Sequence, residues 1–126
     1  MSQLCNWDEI EFFKKEEFNC SHSGKNKMQH EFMQRLDALR KMINRPLVIS
    51  SGFRDISHPI EVKKTKAGMH TTGMACDILA SHQHALDIIS FGLKLGFKGF
   101  GVQQKGDFNS RFIHIDLRET HTLWSY

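Results

Sequence analysis

Apolar positions in the first half of the chain repeat at the spacing of a helix. Between Asn26 and Pro46 they recur every three or four residues, which places them on one side of an α-helix. Asn26 suits the N-cap of this helix, and Pro46 is expected to end it. The predicted buried stripe consists of Met28, Phe32, Leu36, Leu39 and Ile43.

A second helix is predicted from about Ser81 to Leu95. Gly96 follows its last turn and is a suitable C-terminal stop, because glycine readily takes the left-handed conformation that ends many helices. The residues expected to face inward are Ala85, Ile88, Ile89 and Leu93.

Short apolar runs predict four β-strands. The first is expected to be buried and to run into a loop at Gly52. The last shows strict alternation from Phe112 to Leu117 and is followed by a polar tail that ends in Trp124 and Tyr126. The four runs lie within residues 46–54, 74–79, 97–102 and 112–117.

These elements predict a single α+β domain over residues 1–126. Most of the strands are joined by turns too short for a crossover helix, so the sheet should be small and mainly antiparallel, with flanking helices. A chain of 126 residues fits one core. The loop at residues 55–68 is long for such a domain, so we expect it to form a wall of a functional site.

Composition and charge limit the range of partners. The net charge is only +3 and the basic residues are scattered, so we expect no nucleic-acid partner. No run approaches the roughly 20 apolar residues that span a bilayer, and the amino terminus lacks the pattern of a signal peptide. We therefore expect a monomer that is made in the cytoplasm and has no membrane partner. The three cysteines are expected to be reduced.

The chemistry of the chain is concentrated in two segments, His70–Asp77 and Phe112–Asp116. Alternate side chains of a strand share a face, so His114 and Asp116 should point the same way. Asp77 lies among apolar residues, where a carboxylate needs a cation or several hydrogen-bond donors to offset its desolvation. The odd spacing between His70 and Asp77 requires the chain to turn between them.

Two imidazoles and one carboxylate suit zinc. Zinc accepts His70, Asp77 and His114 in tetrahedral geometry and keeps a fourth position for water, as catalytic sites require. Each residue alone is more easily explained as a satisfied polar group at a strand end, but the joint pattern favours a metal site. The pair Cys20 and His22 could also bind a metal, although a capping or packing role is favoured because no second ligand pair accompanies it.

The motifs resemble those of the M15 family of zinc peptidases. They are Ser50-Ser-Gly-Phe-Arg54, then His70 with x2-Gly-x-Ala-x-Asp77, then His114-x-Asp116, in the order of the family. The similarity extends from about Phe18 to Arg118. It is strongest to the short phage-type members, whose Glu-Phe-x-Cys opening matches Glu17–Cys20.

The resemblance implies a fold of the M15/hedgehog type, a zinc cofactor and a function. His70, Asp77 and His114 match the zinc ligands of the family, and Arg54 matches an arginine that lies beside the metal and binds a substrate carboxylate or carbonyl. A structural ion pair is the alternative role for Arg54. The implied substrate is a peptide of bacterial peptidoglycan, cut by a carboxypeptidase or an endopeptidase of bacteriophage origin that reaches the wall after release from the host cell.

The sequence departs from the family at two positions. Some members carry a carboxylate three residues before the last ligand histidine as general base, but Arg111 stands there and cannot accept a proton. Asp116 is the first choice for the base, and orienting a histidine is its alternative role; Asp107 and Glu119 would depend on loop geometry. At the second position, Gly68 replaces a common Ser or Asn, and we expect it to alter a loop contact.

Some alternatives concern the function as a whole. A non-catalytic wall-binding or virion structural domain with the same fold is the alternative to an enzyme, because the upstream carboxylate is absent. A peptidase that acts on other D-amino-acid peptides is a third possibility. For His58 a solvated or loop-packing role is favoured over substrate contact, and Trp124 and Tyr126 are expected to pack the chain end rather than line a groove.

Overall fold

A single five-stranded sheet organises residues 3–126, the part of the chain described by this computed structural model. Three α-helices accompany the sheet, and short 3-10 turns occur between the elements. In chain order the helices and strands are α1 (His30–Ile43), β1 (Val48–Ser51), α2 (Pro59–Val62), β2 (Ala75–Leu79), α3 (His82–Lys94), β3 (Gly99–Gln103), β4 (Phe112–Asp116) and β5 (Thr122–Ser125).

The strand order across the sheet is β1-β2-β4-β3-β5. The first three pairings are antiparallel and the β3–β5 pairing is parallel. The predicted α+β class and the mainly antiparallel sheet are therefore confirmed. The prediction of a polar tail after Leu117 is wrong for Thr122–Ser125, which forms β5. β5 joins the sheet through backbone hydrogen bonds to β3. Its side chains alternate too weakly between apolar and polar for the sequence to predict a strand.

The core lies between the sheet and the helices α1 and α3. Phe32 of α1 packs edge-to-face on Phe97, with ring centroids 5.6 Å apart. From the sheet, Ile113 and Ile115 of β4 contribute fully buried side chains to this core. The predicted stripe is confirmed within α1 at Phe32, Leu36 and Leu39, which are fully buried, whereas Met28 is also buried but precedes the helix.

Several predicted details of the helices are wrong. Helix α1 begins at His30, because the Asn26 side chain instead accepts a hydrogen bond from the Met28 N–H in a preceding turn. It ends at Ile43, followed by Asn44 in the left-handed conformation. Leu93 was expected to face inward but is 50% exposed, because it lies at the edge of the buried face of α3.

The first strand and the long loop also differ from expectation. β1 lies at one edge of the sheet and Val48 is 54% exposed, so this strand is not buried. The segment 55–68 contains the short helix α2, which His58 caps by accepting a hydrogen bond from the Ile60 N–H. This helix brings Glu61 into the interior, where it is 4% exposed.

Gly73 makes the turn that separates His70 from β2. Its φ is +76°, and a side chain there would collide with the Lys27 carbonyl. We expect Gly73→Ala to lower the free energy of unfolding by about 3 kcal/mol or more, since it adds backbone strain to a steric clash. Urea denaturation measures this change.

Gly106→Ala is the matched control for this prediction. Gly106 has a similar φ of +79° but open space around it, so only the strain of about 1–2 kcal/mol applies. Equal losses in the two variants would contradict the proposed collision at Gly73.

Candidate metal centre

The site is built on a row of residues that runs across the whole sheet. Asp77 of β2 pairs with His114 of β4, which pairs on its other side with Gly101 of β3. The row continues to Ser51 of β1 at one end and to Trp124 of β5 at the other. Cross-strand neighbours in an antiparallel pair have their side chains about 5 Å apart, so the register itself places Asp77 beside His114.

His70 completes the cluster from the 3-10 turn Met69–Thr72. Its Nε2 lies 3.2 Å from His114 Nδ1 and 3.2 Å from Asp77 Oδ1, and His114 Nδ1 lies 3.0 Å from Asp77 Oδ1. A tetrahedral ion with bonds of about 2.0–2.1 Å separates its ligand atoms by roughly 3.3 Å. The three atoms therefore have nearly the spacing that zinc requires.

The tautomers of the two histidines also fit a metal. His70 Nδ1 lies 2.8 Å from the Gly52 carbonyl, which can only accept, so Nδ1 carries the proton and Nε2 keeps a free lone pair. His114 Nε2 lies 2.7 Å from Asp116 Oδ2 and donates to it, which leaves Nδ1 free. Such contacts are typical of histidines that ligate a metal.

Asp77 is held ionised at the centre of the cluster. It is 6% exposed, and His70 and His114 are each 4% exposed. Burial raises the pKa of Asp77, but in the metal-free protein hydrogen bonds donated by the facing nitrogens of His114 and His70 outweigh burial and hold that pKa well below its ordinary value. A bound metal would take the place of the protons on those two nitrogens. A cation in the cluster would offset the desolvation of this carboxylate, as the sequence predicted.

Asp116 lies behind His114 and away from the cleft. It is fully buried, and its carboxylate also accepts hydrogen bonds from the Arg118 backbone N–H and guanidinium at 2.6–3.1 Å. Burial raises the pKa of Asp116, whereas His114 and Arg118 lower it further than burial raises it. The carboxylate fits only because residue 99 is glycine, since a side chain there would collide with it.

Arg54 connects the cluster to helix α2. Its Nη2 lies 3.6 Å from Asp77 Oδ2, and its Nη1 lies 3.4 Å from Glu61 Oε2. Glu61 also accepts from the Gly68 N–H at 2.9 Å and pairs with Lys64 at 3.1 Å. Sequence reasoning missed Glu61, since a single carboxylate in a polar loop gives no signal of burial.

The three candidate ligands line an open cleft of about 410 Å³. Trp124 and Tyr126 line this cleft, so the expectation that they only pack the chain end is wrong. Trp124 packs against His114 with ring centroids 5.1 Å apart and ring planes tilted by 54°, which is possible because Gly101 has no side chain. The lining residues are Arg54, Ile60, Lys64, Gly68, Met69, His70, Asp77, Phe112, His114, Arg118, Trp124 and Tyr126.

Other candidate residues lie outside the cleft. Arg111 donates to the Gly106 carbonyl at 3.0–3.1 Å and stacks on Phe108. Asp107 caps the backbone of Asn109 at 2.9 Å, and Glu119 is exposed.

The other histidines and Cys20 also have local roles. His58 lies beside Ser21, with its Nε2 3.3 Å from the hydroxyl, and does not line the cleft. Cys20 is buried and accepts the Asp55 N–H. Within residues 3–126, His70, Asp77 and His114 form the one group of three or more residues spaced for a metal, so Cys20 and His22 belong to none.

A histidine–aspartate–histidine cluster with an open side has the donor set of a mononuclear catalytic zinc site. The chain belongs to the peptidase M15 family, which it matches over residues 11–116. This family is zinc-dependent, and the donor set found here fits that ion. No curated protein matches the chain. None of the helices within residues 3–126 has the length and apolar character needed to cross a membrane.

Measurements of zinc affinity test whether His114 is a ligand and whether Asp116 only supports it. We expect His114→Ala to abolish tight zinc binding, because it removes one of three ligands. Asp116→Asn should weaken binding by about 10–100-fold without abolishing it, since an amide orients the imidazole less well than a carboxylate. Competition with a chromogenic chelator measures both affinities.

Asp107→Asn provides the matched control, since Asp107 is exposed and lies outside the cleft. It should bind zinc as tightly as the natural protein. Unchanged zinc affinity in Asp116→Asn would contradict the supporting role of Asp116.

Proposed function

We propose that this protein is a zinc-dependent peptidase that cuts a peptide bond in the stem peptides or cross-links of bacterial peptidoglycan. The observation that carries the proposal is the convergence of His70 Nε2, Asp77 Oδ1 and His114 Nδ1 at the base of an open cleft. Membership of the M15 family supports hydrolysis of a peptide. The peptidoglycan substrate and a bacteriophage origin rest on the resemblance of the motifs, including Glu17–Cys20, to short phage-type members.

The residues of the cleft would have different roles in hydrolysis. His70, Asp77 and His114 would hold zinc. When bound, zinc supplies a Lewis acid that polarises a carbonyl and lowers the pKa of water to about 7. Arg54 lies beside this position and presents guanidinium N–H groups to the cleft, so it is placed to bind a developing oxyanion or a substrate carboxylate.

Asp116 has a positioning role in this proposal. Its carboxylate is enclosed by His114, Arg118 and the backbone of Gly99, and no part of it is exposed. A general base must reach the proton that it removes within hydrogen-bond distance or through one water. The geometry therefore favours Asp116 as the residue that fixes the His114 imidazole, the alternative role that the sequence had left open.

A non-catalytic, zinc-stabilised wall-binding or virion structural domain is the second candidate. One observation favours it: among the described residues that line the cleft, Asp77 is the only carboxylate, and it is a candidate ligand. The other side chains there are basic, aromatic, apolar or imidazole groups. A domain of this kind would hold zinc and bind peptidoglycan without releasing new peptide termini.

Digestion of purified peptidoglycan distinguishes the two candidates. Zinc-loaded protein should release fragments with new peptide termini, identified by mass spectrometry, whereas His114→Ala should release none because the metal site is incomplete. Asp107→Asn should act like the natural protein. Full zinc occupancy with no new termini would support the binding domain and contradict the peptidase.

Activity at saturating zinc tests the role of Asp116. A positioning residue acts through metal binding, so we expect Asp116→Asn to recover at least about one tenth of the natural kcat once zinc is saturating. Loss of about 10²–10⁴-fold in kcat at full zinc occupancy would instead identify Asp116 as the general base. Zinc content measured in the same samples separates the two effects.

A further inference from the structure

Lys64 occupies the space that a side chain at position 68 would need. Its ammonium nitrogen lies 2.8 Å from the position that a Cβ on Gly68 would take. The same nitrogen lies 3.1 Å from Glu61 Oε2. Gly68 stands where many M15 members have Ser or Asn. Because it has no side chain, the Lys64 ammonium has room at the edge of the cleft.

Glu61 fixes two cations of the cleft at once. Its Oε2 contacts both Lys64 and Arg54, at 3.1 and 3.4 Å, while its Oε1 accepts the Gly68 N–H at 2.9 Å. The Glu61 side chain is 1% exposed, so its charge is shielded from solvent and needs both partners. Lys64 and Arg54 are thus held side by side, and both line the cleft with His70.

The balance of charges around the cleft favours an anionic ligand once a metal ion is bound. Arg54, Lys64 and Arg118 are balanced by three buried carboxylates, Glu61, Asp77 and Asp116. A divalent ion on the ligand cluster would leave the site with excess positive charge in a partly enclosed cleft, where electrostatic attraction is stronger than in bulk water.

Lys64 has more hydrogen-bond donors available to a ligand than Arg118 has. An ammonium group has three donors, and Glu61 engages one of them in the structure. The Lys64 side chain remains 40% exposed, so its free N–H groups can reach a ligand. By contrast, the Arg118 guanidinium is directed to Asp116 through two of its nitrogens.

We propose that Lys64, together with Arg54, binds a free carboxylate on the residue that leaves from the carboxyl side of the cut bond, and that the absence of a side chain at Gly68 leaves room for this contact. This inference rests on the proposed peptidase function and assigns the specificity of its cleft. A substrate with a carboxamide at that position loses a charge-assisted contact and binds more weakly.

The test is binding of two probe pairs that cannot be hydrolysed. They are ketomethylene analogues of acetyl-D-alanyl-D-alanine and of L-alanyl-D-glutamate, each as the free acid and with a carboxamide in place of the α-carboxylate on the leaving residue. Calorimetry on zinc-loaded protein should give at least about 10-fold tighter binding of the acid than of the amide in one pair.

Variants at three positions isolate the contact. Lys64→Met should reduce the preference for the acid to less than about threefold, and Lys64→Arg should keep most of it. Gly68→Ala should reduce the preference less than Lys64→Met does, because the ammonium is the end of a flexible side chain and can shift away from the new methyl group. Lys66→Met is the matched control, since Lys66 is exposed and does not line the cleft, and it should keep the full preference.

The outcomes separate this inference from the proposed function. No preference for either acid in the natural protein, or an undiminished preference in Lys64→Met, would overturn the role of Lys64 even if peptidoglycan is cut. A preference that disappears in Lys64→Met would support it even if peptidoglycan is left intact, in which case only the peptidase proposal fails.

Discussion

The structure depends on one buried charge, the Asp77 carboxylate in the middle of β2. Its desolvation must be offset, and the two histidines and Arg54 that surround it do so from three different elements. The sheet register is consistent with the same requirement, since the pairing of Asp77 with His114 brings the second imidazole into contact. A shift of one residue would turn His114 to the other face of the sheet.

A second set of residues lies behind the candidate ligands and holds them in place. Asp116 orients His114 and is itself held by Arg118, whose guanidinium lies 4.4 Å from the centre of the Trp124 ring. Two glycines of β3, Gly99 and Gly101, make room for the Asp116 carboxylate and the Trp124 ring. The candidate metal ligands, the residues that support them and the aromatic wall of the cleft are therefore packed as one unit.

The sequence predicted three candidate ligands that the fold brings together, but it predicted little of the rest of the cleft, for physical reasons. His70, Asp77 and His114 stand in a spaced motif with strong local patterns around it. Glu61 and Lys64, by contrast, reach the cleft through contacts of helix α2 and the residues after it, and polar residues in a loop do not reveal such contacts. Strand β5 was missed because it joins the sheet through backbone pairing with little apolar alternation.

Anomalous diffraction at the zinc absorption edge, on crystals of the zinc-loaded protein, tests the central claim most directly. We predict one strong peak per chain, bonded to His70 Nε2, Asp77 Oδ1 and His114 Nδ1, with His114 Nε2 still hydrogen-bonded to Asp116. A peak elsewhere, coordination of His114 through Nε2, or no peak in protein soaked with excess zinc would contradict the account.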